Sequence, residues 1–232
     1  MNSPEKAVLV VTPHPDDAEF GVAGSVARWI SEGREVVYAV CTNGDKGSPH
    51  PDTDPQELIR LREQEQKEAA DLLGVSKVHF LRYPDQGLED TPWFRKDLVR
   101  LIRTYRPYTV VTSDPYRKYI WHRDHRITGQ VVLDAVFPYA RDYLSYPELW
   151  KYEGLEPHKV RELLFWGAEE PNYFLDISDT FSQKLSALRC HRSQVGDREL
   201  TVKRFLEERA RQAAWEEDYT HGESFYRVEV KG

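Results

Sequence analysis

The chain has 232 residues, of which 40% are hydrophobic and 31% are charged, and its mean hydropathy is -0.68. These values are typical of a globular protein and argue against a disordered chain. The net charge of -7, without a lysine or arginine block, argues against nucleic-acid binding, and no apolar run approaches the roughly 20 residues of a membrane span.

The first part of the chain alternates between apolar, β-branched runs and amphipathic segments. Strands are predicted at residues 7–12, 35–41, 77–81 and 108–113. Helices are predicted at residues 19–32, 55–73, 94–105 and 124–136. This alternation predicts a Rossmann-like, doubly wound α/β fold, with a mainly parallel sheet and helices on both faces.

The alternation stops after Pro138, where aromatic residues, proline and charge predict surface excursions up to about residue 160. Short strands are then predicted near residues 162–167, 173–177 and 225–230, with helices at 179–191 and 199–214. We predict one domain, residues 1–232, in which 1–137 form the Rossmann-like core and 138–232 complete it.

The start of the chain lacks the basic-then-apolar order of a secretory signal, so a cytoplasmic location is expected. The two cysteines, Cys41 and Cys190, fall in a predicted strand and a predicted helix. They suggest buried thiols and no disulfide framework.

Polar clusters follow the first and the fourth predicted strands. The first cluster contains His14, Asp16 and Asp17, and the second contains His122, Asp124 and His125. In a doubly wound sheet, ligands bind at the carboxyl ends of the strands where the strand order reverses, typically between these two strands. Neutral imidazole and carboxylate with an open position form a catalytic zinc site, and a cation would compensate the adjacent aspartates.

Other interpretations of these clusters stay open on spacing alone. Adjacent aspartates before a helix are common N-terminal caps, and histidines three residues apart are often surface residues. A dinucleotide site is the obvious rival, but the loop after the first strand has no glycine-rich fingerprint. Gly21 and Gly24 lie inside the predicted helix, which indicates close packing.

An ordered set of motifs resembles the PIG-L, or LmbE-like, zinc-dependent N-acetylglucosaminyl deacetylase family. The motifs run from about residue 7 to 226 and are PHPDDAEFG, CTNGDKGS, REQEQKEAADLLGV, YPDQGL, HRDHRITG, EPNYFLDISDTFSQKLSALRCHRSQ and ESFYRV. Many family members have proline where this chain has Arg123.

The resemblance implies a role for each matching residue. His14, Asp17 and His125 match the zinc ligands, and Asp16 matches the general base. His122 matches the histidine that stabilises the transition state, and Asp124 would orient it. Arg62 and Asp85 match positions that contact the sugar, although a salt bridge on a helix surface and a turn would also explain them. His191, Ser193 and Gln194 are interpreted as structural residues that tie down a helix end.

The implied reaction is hydrolysis of an amide, the removal of acetyl from an N-acetylated amino sugar or its conjugate. Zn²⁺ is the expected cofactor, and Fe²⁺ or another divalent metal would suit the same ligands. Two alternatives are an amidase acting on a larger thiol or glycosyl conjugate, and a non-catalytic sugar- or nucleotide-binding module. Homo-oligomers are compatible with the resemblance, and the aromatic stretch 137–152 could be an interface or a lid.

Overall fold

The apolar runs form a seven-stranded sheet in the computed structural model, which describes residues 7–231. The strands are β1 (Val8–Thr12), β2 (Val36–Thr42), β3 (Lys77–Tyr83), β4 (Thr109–Ser113), β5 (Glu162–Trp166), β6 (Tyr173–Asp176) and β7 (Gly222–Glu229). Their order is β3-β2-β1-β4-β5-β7-β6. Strands β1 to β5 pair in parallel, whereas β7 is antiparallel to both β5 and β6. The predicted fold class is confirmed.

Helices cover both faces of this sheet. They are α1 (Asp17–Gly21), α2 (Ala23–Ser31), α3 (Pro55–Leu73), α4 (Pro92–Tyr105), α5 (Arg123–Asp134), α6 (Pro147–Lys151), α7 (Phe181–Leu188), α8 (Arg192–Val195) and α9 (Glu199–Ala213). The predicted bounds of α3 are confirmed because its ends carry strong signals. Asp54 accepts a hydrogen bond from the Gln56 backbone N–H at 2.7 Å, and Gly74 ends the helix at φ +85°.

Alternate residues of β1 build the two halves of the core, because successive side chains of a strand point to opposite faces. Leu9 belongs to the cluster that contains Phe94 of α4. Val10 belongs to the cluster that contains Val26 of α2 and Ala69 of α3. Both faces of the central strands are buried, which explains why β1 and β2 are continuous apolar runs.

Residues 19–32 do not form the single helix that was predicted. Helices α1 and α2 are separated at Val22, which has φ -140°. The Val22 backbone N–H still donates to the Ala18 carbonyl at 2.8 Å, so the apolar periodicity continues across the break. A break of one residue that preserves the helical phase leaves no signal in the hydrophobic pattern.

The segment after Pro138 is more firmly packed than the predicted surface excursions. Leu149 of α6 is fully buried, and Val160 is 1% exposed. The buried Arg103 side chain donates hydrogen bonds to carbonyl oxygens of this segment, at Tyr139 (3.0 Å), Ala140 (3.1 Å), Asp142 (2.9 Å) and Ser145 (2.8 Å). A single arginine of α4 therefore fixes the aromatic stretch against the core.

The strand order reverses between β1 and β4, which are paired with Val8 opposite Thr109 and Val10 opposite Val111. Their carboxyl ends open into the same crevice, where this architecture places its ligands. Among residues 7–231, no helix has both the length and the apolar character needed to cross a membrane.

Candidate metal centre

The loop after β1 forms a tight turn around two aspartates with different surroundings. Asp17 begins α1, and its Oδ2 accepts a hydrogen bond from the His14 backbone N–H at 2.8 Å and lies 3.0 Å from His14 Nδ1. Asp16 precedes α1 in the left-handed region, with φ +96°. Asp17 therefore braces His14, whereas the side chain of Asp16 contacts Arg62 instead.

The loop after β4 supplies His122, Asp124 and His125 at the start of α5. His122 caps the helix, and its Nδ1 accepts a hydrogen bond from the Asp124 backbone N–H at 3.2 Å. The fully buried carboxylate of Asp124 faces His14, with Oδ2 3.3 Å from His14 Nε2. Asp124 thus contacts His122 through its backbone, so any orienting effect on that ring acts through the backbone and not the carboxylate.

The two loops meet at the crevice, as the sequence predicts. His125 Nε2 lies 3.2 Å from Asp17 Oδ1. The ring centroid of His14 is 5.4 Å from that of His125 and 4.7 Å from that of His122. Asp17 therefore lies between His14 and His125, with one carboxylate oxygen next to each ring.

Asp85 joins the same cluster from the loop after β3. Its Oδ1 lies 3.1 Å from His14 Nε2, and its side chain is 6% exposed. Lys46, in the loop after β2, donates from Nζ to the Asp85 carbonyl, and its backbone N–H donates to Asp85 Oδ2 at 3.3 Å. The turn-former alternative is incomplete, because the Asp85 carboxylate reaches the histidine cluster. Sequence reasoning missed Lys46, although it follows a strand that ends at the same sheet edge.

The neighbouring carboxylates stabilise positive charge on the His14 ring. Burial lowers the pKa of His14, but its contacts with Asp124, Asp17 and Asp85 outweigh burial and raise that pKa to about 12. Burial raises the pKa of Asp17, but His125 and His14 hold it well below its usual range.

Asp16 titrates differently from its neighbour. Burial raises the pKa of Asp16 to about 6; the positive charge of Arg62 opposes this rise, and the negative charge of Asp17 adds to it. The side chain of Asp16 is 13% exposed. Asp17 is therefore held ionised, whereas the pKa of Asp16 is raised toward neutral pH.

Arg62 is not a residue of the helix surface. It is 3% exposed, and its guanidinium donates to the Pro15 carbonyl at 2.6 Å and to the Gly44 carbonyl at 2.9 Å. Its Nη2 lies 3.4 Å from Asp16 Oδ2. A Cβ atom at Gly44 or Gly47 would lie 2.5 or 2.4 Å from Arg62 Nη1, so a side chain at either position would require the guanidinium to shift. The surface salt-bridge alternative is wrong, since the guanidinium ties the loops after β1 and β2 together.

The cluster fits a divalent cation by its donor set. Ring nitrogens of His14, His122 and His125 lie within 4.8 Å of one another, and so do ligand atoms of His14, Asp85, His122 and Asp124. In the part of the chain that the structure describes, Asp124 Oδ1 and His125 Nδ1 are buried without a hydrogen-bond partner. Buried carboxylates around imidazoles are stable only with a compensating positive charge, and mixed histidine and carboxylate ligands suit a divalent metal.

An aromatic wall borders the cluster on the side of Asp17 and His125. Trp121 packs against His125 with ring centroids 4.6 Å apart, and Trp166 does so at 5.4 Å. Both tryptophans line a cavity of about 220 Å³ that Asp17 and His125 also line. Trp121 therefore both packs against a cluster histidine and lines the cavity.

The chain is similar to proteins that are described as deacetylases. Residues 9–136 match the PIG-L family, described as GlcNAc-PI de-N-acetylase. The diacetylchitobiose deacetylase of Thermococcus kodakarensis is 37% identical over 82% of this chain and 70% of its own length. The probable N-acetyl-alpha-D-glucosaminyl L-malate deacetylase 2 of Bacillus anthracis is 27% identical over 88% of each chain. The structure of the N,N'-diacetylchitobiose deacetylase from Pyrococcus horikoshii, complexed with its inhibitor MPG, superposes with a TM-score of 0.91 at 32% identity. It covers 97% of this chain and 84% of that chain.

Proposed function

The chain belongs to the PIG-L family, and we propose that it is a metal-dependent hydrolase that removes the acetyl group from an N-acetylated amino sugar of the N-acetylglucosamine type. The substrate is either the free amino sugar or a conjugate that contains it. The observation that carries the proposal is the position of Asp17, with one carboxylate oxygen 3.0 Å from His14 and the other 3.2 Å from His125. Asp16 lies next to this trio without a bond to either ring.

We assign His14, Asp17 and His125 as the ligands of the metal, with Zn²⁺ first and Fe²⁺ second. Two imidazoles and a carboxylate leave a position open for water or substrate. A divalent ion held by these three residues would supply a Lewis acid that lowers the pKa of water toward about 7 and polarises an amide carbonyl. The carboxylates that raise the pKa of His14 favour a cation in this place.

Asp16 takes the role of general base and accepts the proton of the attacking water. Its partial burial and its neighbour Asp17 raise its pKa to about 6, which brings its basicity closer to neutral pH. Its position is fixed by the backbone of the loop and by Arg62, 3.4 Å from Asp16 Oδ2. Once protonated, Asp16 can return the proton to the leaving amine.

His122 takes the role of hydrogen-bond donor to the oxygen on which negative charge develops. Its Nδ1 accepts the Asp124 backbone N–H, so the ring proton of the neutral imidazole resides on Nε2. Burial and the neighbouring His14 lower the pKa of His122, which favours the neutral ring. A fixed donor aimed at the developing charge is a common source of rate enhancement.

Asp85 and Arg62 are the candidates for contact with the sugar. Asp85 has a carboxylate in the cluster beside His14 Nε2, where a substrate hydroxyl could replace the histidine as its partner. Arg62 already donates to two loop carbonyls, so it also holds the loops that shape the site. Both roles rest on the family resemblance of the motifs in which they lie.

The test is acetate release by the purified chain from N-acetylglucosamine, N,N'-diacetylchitobiose and N-acetylglucosaminyl L-malate. Each substrate is assayed with the metal bound, after chelation, and after return of Zn²⁺ or Fe²⁺. We expect acetate from at least one substrate, its loss on chelation, and recovery with metal. Absence of acetate from all three, with about one metal ion bound per chain, would contradict the proposal.

A further inference from the structure

Asp16 has a backbone conformation that few residues other than glycine adopt. Its φ of +96° and ψ of -25° lie in the left-handed region. Residues held in such regions persist only where their surroundings determine the conformation, and they cluster at functional sites. The contacts of the Asp16 backbone therefore show what holds this residue in place.

We propose that Gln66, Glu19 and His191 form a buried chain of hydrogen bonds that positions Asp16 for catalysis. These three residues are fully buried. They belong to α3, α1 and the turn before α8. None of them lies in the metal cluster, so we describe them as positioning residues. The inference rests on the proposed role of Asp16 as general base.

The chain begins at the backbone of Asp16. The Asp16 N–H donates to Oε1 of Gln66 at 3.0 Å. This bond fixes the peptide unit that enters the left-handed residue, and the Asp16 carbonyl accepts from Glu19 N–H at 2.9 Å. The amide of Gln66 thus secures the backbone from which the carboxylate of Asp16 projects.

Glu19 sets the orientation of the Gln66 amide. The Gln66 Nε2 group donates to both carboxylate oxygens of Glu19, each at 3.1 Å. Because the carboxylate accepts only, the amide must present NH₂ to Glu19 and its oxygen to Asp16. A flipped amide would lose both sets of hydrogen bonds.

His191 closes the chain. Its Nε2 lies 3.0 Å from Glu19 Oε2, and its Nδ1 is buried without a partner. Because a carboxylate only accepts, the ring donates from Nε2, and the Glu19 carboxylate receives a third hydrogen bond. Sequence reasoning assigned His191 to the end of a helix, but its ring contacts α1 and not only its own turn.

The partners come from three separate elements, and this arrangement suits a positioning role. Helix α3 also carries Arg62, which donates to the Pro15 carbonyl, so both sides of Asp16 are held from the same helix. A displacement of about 1 Å in a reacting group can cost about a hundredfold in rate, so such bracing is expected at a base.

The test compares Gln66→Met with the matched control Gln64→Met. Both residues lie on α3, but Gln64 is exposed, and its amide donates to Glu68 Oε1 at 3.2 Å. We expect Gln66→Met to lower kcat for acetate release by about ten- to a hundredfold. KM and the metal content per chain should stay close to those of the wild type, and Gln64→Met should match the wild type throughout.

A double variant distinguishes positioning from simple packing. In Gln66→Glu combined with Glu19→Gln, the new carboxylate can accept from Asp16 N–H and from the new amide, which can in turn accept from His191 Nε2. The order of donors and acceptors is restored with the same net charge. We expect this variant to recover most of the lost kcat.

Three outcomes would overturn the inference or its premise. A folded Gln66→Met protein with the kcat of the wild type would contradict the inference. A folded double variant with a kcat as low as that of Gln66→Met would also contradict it. If Gln66→Met fails to fold, the kcat of the double variant is compared with that of the wild type instead. A metal-loaded wild type that releases no acetate would instead contradict the proposed function, so the two failures are distinguishable.

Discussion

Nε2 of His14 and Oδ1 of Asp85 lie 3.1 Å apart, although the two residues come from loops after different strands. The contact places Asp85 beside a proposed metal ligand and not at the outer rim of the crevice. Two roles are therefore in competition for Asp85, metal ligand and sugar contact. Asp85 approaches Nε2 of His14, whereas Asp17 Oδ2 lies 3.0 Å from the other ring nitrogen, Nδ1.

Asp85→Asn is expected to raise KM for the amino sugar by about tenfold and to leave the metal content unchanged. The asparagine keeps the shape of the side chain but loses the charge that strengthens a hydrogen bond to a sugar hydroxyl. Steady-state kinetics together with elemental analysis of the purified variant measure both quantities. Loss of the metal would reassign Asp85 as a ligand.

Asp16→Asn is expected to lower kcat by about a thousandfold while the metal stays bound. Asparagine tolerates the left-handed backbone at this position but cannot accept the proton of water. Acetate release and metal content are measured on the same preparation. The division of labour between Asp16 and Asp17 would be wrong if this variant lost its metal.

His125→Ala is expected to lose the metal and with it all acetate release. The substitution removes the ring that lies 3.2 Å from Asp17 Oδ1, so two of the three proposed ligands remain. Elemental analysis by mass spectrometry provides the measurement. The control is His50→Ala, because His50 is exposed and outside the cluster; equal metal content in the two variants would remove His125 from the ligand set.

His122→Ala is expected to lower kcat by about a hundredfold, the loss typical of one donor to a developing oxyanion. KM and metal content should change little, since His122 is not one of the three proposed metal ligands and its Nδ1 is already occupied by the cap of α5. Kinetics on a metal-loaded sample measure the effect. An unchanged kcat would show that another group stabilises the transition state.

The His191–Glu19 pair is expected to make stability depend on pH. Burial lowers the pKa of His191, but Glu19 above all, and then the charges of Asp16 and Glu65, raise it above 6.5. The folded state therefore holds the proton more tightly, so this stabilisation is complete below pH 6.5 and is lost as the pH rises through the raised pKa.

The measurement for this pair is the free energy of unfolding of wild type and His191→Gln over a pH series at constant metal concentration. At acid pH the variant should be less stable by about 2 kcal/mol, the value of a charge-assisted hydrogen bond. The difference should shrink at alkaline pH. A difference independent of pH would mean that His191 stays neutral in the folded protein.

Local patterns predicted the fold well where each element carries its own signals. Helix α3 has a capping aspartate, a proline at its start and a terminal glycine, and its predicted bounds are confirmed. Strands β1 and β4 are short apolar runs followed by polar loops, which is enough to predict a crevice between them. The antiparallel order of β7 between β5 and β6 has no such local signal, because it depends on pairing between distant segments.

The sequence by itself determined which residue types gather at the crevice, because His14, Asp16, Asp17, His122, Asp124 and His125 follow strands whose ends share one sheet edge. Tertiary structure alone decided their individual surroundings. It turned the Asp124 carboxylate toward His14, buried Arg62 under two loops, and linked Asp16 to His191 through Gln66 and Glu19. These contacts join segments that lie far apart in the chain. Their partners are not set by any local pattern, because they depend on which buried polar groups the fold brings within hydrogen-bond distance.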